Sequence, residues 1–413
     1  MKKEYKFLKG FLSGVAIMLL ISGIFFVIRE VIIKDNSMST TSETIREQVI
    51  GDDLYLDMEQ VSSKIETIQS IINQYHMEPI DSQEVEDWTY RGMVAGLGER
   101  YASYYTREEV EANNESLAGQ YEGIGAVLIQ DKTTGFVTIV RCYEGGPAEE
   151  AGILPEDILY MVNDVVVANM ELTEVVKKIK TEEGETVKIT IARDGEAEYL
   201  EFDLERRAIE VPTITHEMLE DKVGYIVISE FATITRDQFK LALQDLEEQG
   251  MERMVVDLRG NPGGGLQTTC NMLEEILPAG IIVYTLDRDG VREEFTGAGA
   301  HAIDIPFVVL VNENSASASE IFAGAVQDYG VGTIVGVTTY GKGSVQGTIP
   351  LEDGSAVKMT VAKYYTPNGN DINGIGIQPD VEVELNEELK KQNVIEKEED
   401  NQLQKALEVV KSK

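Results

Sequence analysis

The 413-residue sequence predicts a multidomain α/β protein: an N-terminal transmembrane anchor, a helical N-terminal region, a β-rich module and a larger α/β core. Three observations carry that expectation. An apolar run without charge, Phe11 to Ile28, follows Lys2, Lys3, Lys6 and Lys9. Between Gly119 and Arg207 the apolar pattern shortens to that of strands and turns. Beyond Val211 strands and helices alternate, as in a sheet with helices on its faces.

The anchor comes first in the chain. At about 1.5 Å per residue, roughly eighteen apolar residues nearly span a hydrocarbon core, and Phe7, Leu8 and Val31 to Ile33 extend the run. The leading lysines predict a cytoplasmic N-terminus, with everything after Lys34 outside, on a single-pass protein of the cell membrane. No small-x-small cleavage site directly follows the run, which favours an uncleaved anchor over a removed signal peptide. Residues 1–34 form this segment. A polar linker and a helical region fill 35–112.

Within that region Met58, Val61, Ile65, Ile68 and Ile72 recur by three and four, which places them on one stripe of a helix. The stripe either packs on its own domain or pairs with a second copy, and spacing does not separate the two. A second helix is expected from Ser82 to Leu97, then an aromatic turn at Tyr101, Tyr104 and Tyr105. The β-rich module, 113–207, has strands at Ile124–Gln130, Gly135–Arg141 and Val187–Arg193, a helix at Leu172–Lys180, and a hairpin turn at Asp194-Gly195. The core, 208–385, includes the run Phe307 to Val311, apolar on both faces. A charged tail, 386–413, ends in a helix with a thin stripe of Leu403, Ala406, Leu407 and Val410.

Composition excludes several functions. The chain is 43% hydrophobic, ordinary for globular protein, and carries a formal net charge of −37 from 73 acidic and 36 basic residues. Such a charge repels phosphate backbones, so no nucleic-acid partner is expected. Cys142 and Cys270 stand far apart and read as buried small hydrophobes. His76, His216 and His301 stand singly, so neither a metal nor another cofactor is expected.

Three motifs can carry chemistry. Ser315-Ala316-Ser317-Ala318-Ser319-Glu320 lies where a buried strand meets a helix, a place that exposes a hydroxyl beside helix-start amides. The same residues also read as a capping box, Ser317 with Glu320, and spacing does not choose among the three serines. In Gly341-Lys342-Gly343 a lysine sits on a turn. Facing water it is a solvated charge; facing an apolar site its pKa falls and the neutral amine becomes a base. Asp257 to Gly265 ends in a glycine loop that can aim backbone N–H groups at an oxyanion or simply turn the chain. No histidine accompanies either the serines or the lysine.

Together and in this order, the motifs resemble those of the C-terminal processing peptidases, or tail-specific proteases, over about Val85 to Asp380. The resemblance implies a core of crotonase/ClpP-like α/β fold, with Ser317 as nucleophile, Lys342 as general base and Gln346 orienting the lysine. It implies oxyanion donors at the Ala318 amide and at Gly263 or Gly264. It also implies a PDZ-like module, in which Gly123-Ile124-Gly125-Ala126 looks like the carboxylate-binding loop. A substrate tail would then add as a strand beside Val127 to Ile129. Three departures stand out. Lys180 occupies a position where relatives usually have an arginine that can couple the PDZ module to activity. Gly98-Glu99-Arg100-Tyr101 lacks the usual proline, and Tyr340 replaces a phenylalanine.

The function so implied is a PDZ-gated serine endopeptidase acting on proteins with exposed C-terminal tails, outside the cytoplasmic membrane. The N- and C-terminal stripes also offer a way to build a homodimer, as in some relatives. The alternative is a non-catalytic PDZ scaffold with a degenerate core, against which the joint presence of Ser317, Lys342 and Gln346 argues. A crotonase-like acyl-group enzyme would need a nucleotide-tail pocket and no exported PDZ module.

Overall fold

The structure, a computed structural model, describes residues 54–180, 185–299, 301–392 and 395–413. The expected anchor and the start of the linker lie outside the described residues. Among those described, no helix is long and apolar enough to cross a membrane.

The first described helix, α1 (Met58–Tyr75), starts at Asp57, whose carboxylate accepts from the Gln60 amide at 3.1 Å. None of its residues is buried; Ile65 and Ile68 of the expected stripe are exposed. This segment forms a compact unit of its own, and the rest of the chain, from Ser82, forms a second.

The second unit opens with α2 (Ser82–Ala95) and a short strand, β1 (Ser103–Tyr105). Tyr104 and Tyr105, expected in a turn, are therefore in a strand, and only the residues around Tyr101 turn. Next comes α3 (Arg107–Ala118), which the sequence reading did not anticipate. Its start is a capping box between Thr106 and Glu109, and Gly119 ends it in the left-handed conformation. The expected boundary at 112/113 thus cuts a helix.

The PDZ-like module follows the expected plan. Its strands are β2 (Gln120–Gly123), β3 (Ala126–Gln130) and β4 (Val137–Cys142). After a short helix α4 (Pro147–Glu150) come β5 (Ile158–Val162), β6 (Val165–Val166), α5 (Leu172–Ile179), β7 (Thr186–Ala192), β8 (Leu200–Glu205) and β9 (Arg207–Glu210). One sheet runs β3-β4-β5-β7-β8, which leaves β3 at its edge. A separate antiparallel pair, β2 with β9, forms the stem by which the chain enters and leaves the module. The expected boundary at 207/208 falls inside this stem. Val137, Ile139, Val162, Val175, Ile189 and their neighbours form an independent core.

The larger core begins with β10 (Ile214–Leu219), β11 (Val223–Ile228), α6 (Thr235–Glu248) and β12 (Arg253–Asp257). It continues through α7 (Leu266–Leu273), β13 (Gly280–Asp287), β14 (Arg292–Gly297), β15 (Phe307–Val311), α8 (Ala318–Tyr329) and β16 (Thr333–Gly336). The hairpin β17 (Ser344–Pro350) and β18 (Ala356–Tyr365), then β19 (Val381–Glu382) and α9 (Asn401–Lys411), complete it. The central sheet runs β10-β11-β12-β15-β16-β19, parallel from β11 onward.

Strand alternation explains why the central strands are apolar throughout. Phe307, Val309 and Val311 face one core with residues of α6, α7 and α8. Val308 and Leu310 face the other, against Leu403, Ala406 and Val410 of α9. The C-terminal stripe is therefore spent inside its own chain, and the dimer contact expected of it is corrected. Burying three apolar side chains over a hydrophobic sheet face is worth several kcal/mol, at roughly 25 cal/mol per Å² of apolar surface. The tail is part of the core. A second sheet, β1-β18-β13-β14 with β17 on β18, brings the Tyr101 turn and the lysine loop to one region.

Candidate active site

The three serines of the Ser-Ala-Ser-Ala-Ser-Glu run differ in what holds them. Ser315 Oγ donates to the Leu258 carbonyl at 2.8 Å, and Ser319 Oγ donates to the Asn261 carbonyl at 3.0 Å. Both residues are fully buried. Ser317 is half-buried and adopts φ 56°, ψ −114°, a conformation rare for a residue with a side chain and not the extended one of an ordinary N-cap. Strain of this kind, about 1–3 kcal/mol, persists only where the surroundings impose it.

Those surroundings are buried polar groups. Glu320 is completely buried, and its carboxylate accepts four hydrogen bonds. Oε2 takes the amides of Ser317 and Lys342, each at 2.8 Å; Oε1 takes the Thr339 hydroxyl at 2.6 Å and the Gly341 amide at 2.7 Å. One carboxylate thus ties the serine turn to the lysine loop. Tyr364, also buried, sets its hydroxyl against the carbonyls of both residues, 3.0 Å from that of Ser317. Burial and the nearby Glu320 charge hold the Tyr364 pKa well above its usual value, so it remains a donor.

The glycine loop lies against this turn. Asn261, buried, accepts the Ala316 amide on its carbonyl at 3.0 Å and the Gly263 amide on Oδ1 at 2.8 Å. Gly263 has φ 108°, and a Cβ there would lie 2.8 Å from Ser317 Cβ and 3.0 Å from the Ala318 nitrogen, so only glycine permits the approach. Since the Gly263 amide is taken, those of Gly264 and Ala318 are the ones without a partner among the described residues.

Lys342 is half-buried. Its Nζ lies 4.6 Å from the centre of the Tyr101 ring, a cation–π contact, and no hydrogen bond joins it to Ser317 Oγ among the described residues. Burial lowers its pKa from the usual lysine value and the neighbouring Lys358 charge lowers it further, while Glu320 opposes both. A cleft of about 430 Å³ opens here, lined by Tyr101, Pro262, Ala316, Tyr340 and Lys342 among others. Gln346 does not reach the lysine: its Nε2 donates to Ser344 Oγ at 3.0 Å and Thr360 Oγ1 at 3.1 Å. The fold therefore fixes the backbones of Ser317 and Lys342 to each other without a hydrogen bond between their side chains.

In the PDZ-like module, the carbonyls of Ile124 and Gly125 accept from Ala148 and Tyr143, each at 2.8 Å. That turns the loop's carbonyls inward. Gly123, Ile124 and Gly125 are buried, Ala126 half-buried, and Gly125 has φ 74°. Lys180 forms an ion pair with Glu115 of α3. Among the described residues no cluster of His, Cys, Asp or Glu suits a metal ion.

Two functional candidates lie beyond the sequence reading. Glu320 reads there only as a helix cap, and Tyr364 stands too far along the chain from the motifs to be linked with them.

Known proteins resemble this chain over most of its length. Residues 222–383 match Peptidase family S41, and residues 138–193 match a PDZ domain. Carboxy-terminal processing protease CtpB of Bacillus subtilis (strain 168) is 33% identical over 335 residues, covering 79% of this chain and 68% of that protein. The carboxyl-terminal-processing protease of Synechocystis sp. (strain ATCC 27184 / PCC 6803 / Kazusa) is 36% identical over 314 residues, 75% of this chain and 74% of that protein. A probable CtpA-like serine protease of Staphylococcus aureus (strain COL) is 35% identical over 325 residues, 78% of this chain and 64% of that protein. Core, module and matches define a serine-type peptidase joined to a PDZ domain. The chain belongs to peptidase family S41, with the carboxy-terminal processing proteases.

Proposed function

We propose that the chain is a PDZ-gated endopeptidase that cleaves the C-terminal regions of protein substrates outside the cytoplasmic membrane, to which residues 1–34 anchor it. Neutral Lys342 takes the proton of the Ser317 hydroxyl, which attacks the scissile carbonyl; the amides of Ala318 and Gly264 hold the oxyanion. Lys342 then protonates the leaving amine, and water releases the acyl group by the reverse use of the same pair. Gln346 orients the lysine once Nζ has left the Tyr101 ring.

The observation that carries this reading is the contrast among the serines. Ser315 and Ser319 spend their hydroxyls on buried carbonyls, whereas Ser317 stands on a strained turn bound through Glu320 to the lysine loop. Its amine partner rests on Tyr101. Rotation about the four side-chain bonds of Lys342 moves Nζ without disturbing its backbone, so the resting arrangement suits an enzyme awaiting a signal. The loop Gly123-Ile124-Gly125-Ala126 would receive that signal as a tail carboxylate, with the tail pairing along the free edge of β3.

The test is cleavage of an unfolded protein by the full chain. S317A and K342A each abolish it while the thermal transition is retained; wild-type cleavage by a pure sample of either variant contradicts the assignment. Sedimentation of the full chain with membranes, and its loss on deleting residues 1–34, tests the anchor.

A further inference from the structure

We propose that Glu99, acting through Thr360, is a positioning residue for Gln346, so that the Gly98–Ala102 turn of the N-terminal region completes the active site. The proposal rests on the reading of Lys342 as base with Gln346 as its orienting partner.

Thr360 stands directly opposite Gln346 in the β17–β18 hairpin. Glu99 Oε1 accepts the Thr360 amide at 2.9 Å and also the Thr360 hydroxyl. A hydroxyl has one proton, and an ionised carboxylate can only accept, so Thr360 gives its proton to Glu99. What Thr360 then offers Gln346 is a lone pair. Gln346 Nε2 meets it at 3.1 Å and places its other hydrogen on Ser344 Oγ at 3.0 Å.

This chain of donors fixes which way the amide faces. Nitrogen and oxygen of a glutamine are distinguished by their partners. With both N–H groups committed to hydroxyls, Oε1 is the remaining polar atom, and it is an acceptor. An acceptor is what an amine swinging off Tyr101 requires. Without Glu99 the Thr360 hydroxyl is free to donate, and the amide can turn over and present N–H groups to Lys342. An N–H presented there would bind the lone pair of the neutral amine, the pair that must take the Ser317 proton. The same turn supplies Tyr101, on whose face the lysine rests, so one short segment touches both the amine and the chain that receives it.

The experiment measures kcat and KM of the full chain on a protein substrate, with thermal transitions recorded for each variant. E99A is expected to lower kcat about 10–100-fold, the usual cost of removing a group that orients another, with little change in KM. E99Q keeps an acceptor oxygen and recovers most of that loss. T360V falls as E99A does, and T360S recovers. In a Q346A background E99A causes no further loss, because the residue it positions is gone. Should E99A fail to fold, T360V with Q346A supplies the same cycle. Wild-type kcat in E99A, equal damage in E99Q, or losses that multiply with Q346A would overturn the proposal. Loss of cleavage in S317A and K342A together with an unaffected E99A rejects this inference alone; retained cleavage in those two rejects the mechanism beneath it.

Discussion

The peptidase core and the PDZ-like module are held by different means. In the core, a sheet covered on both faces carries loops that buried Glu320, Tyr364 and Asn261 bind to one another. The module has its own hydrophobic core and joins the rest through the β2–β9 stem and the Lys180–Glu115 pair on α3. Buried polar networks leave no inexpensive alternative arrangement, because each opened bond strands a desolvated group. A half-exposed ion pair can open at little cost. The backbone of the site is thus prebuilt, and the freedom lies in the module and in the lysine side chain.

The sharpest way to break this contrast is to remove the carboxylate. E320A leaves the amides of Ser317, Gly341 and Lys342 and the Thr339 hydroxyl without their acceptor; we expect a stability loss on the order of 3–5 kcal/mol or more and no measurable cleavage. E320Q presents an amide nitrogen to donors and is expected to lose activity nearly as fully. Denaturant unfolding and a cleavage assay check both. Next is L403A, which opens a cavity between α9 and the sheet and should cost about 2–5 kcal/mol. A loss below 1 kcal/mol would mean that the tail is not part of the core.

The pH dependence probes the lysine. In the proposed mechanism neutral Lys342 is the active form, so the rate is expected to rise with pH as its proton is lost. The midpoint lies below the ordinary lysine value, because burial and Lys358 both disfavour the charge. K358A removes a repelling neighbour and should move that midpoint up. K342M removes a half-buried cation and should raise the melting temperature while abolishing cleavage, the usual exchange of stability for function. The smallest effect belongs to the module. K180A should change stability by less than about 1 kcal/mol, as exposed pairs do. Yet it should raise the cleavage rate measured without an added tail peptide, because a tether is gone. An unchanged basal rate would show that the pair does not hold the resting position.

Much of this architecture was legible from local pattern. The run Phe307 to Val311 announced a sheet covered on both faces, and Asp194-Gly195 announced a hairpin, because each signal resides in a few adjacent residues. The α3 helix was missed because it is polar along most of its length. The Thr106–Glu109 box and Gly119 were the cues that could have found it. Likewise, α9 showed a stripe but not what would cover it. At the site, the run of serines was visible, but which hydroxyls were already spent depended on Leu258 and Asn261, more than fifty residues away. Glu320 satisfied a local rule so well that its bonds to the lysine loop went unsuspected. Periodicity reports what a segment buries; it does not report which distant partner meets a buried polar atom.

The central claim is that the hydroxyl at 317 is made nucleophilic by the amine at 342. Treating the full chain with a fluorophosphonate and mapping the adduct by peptide mass spectrometry tests it directly. The account predicts one modified residue, Ser317, labelled faster as pH rises and scarcely at all in K342A. Labelling of Ser315 or Ser319, or equal labelling of Ser317 with and without Lys342, would contradict it.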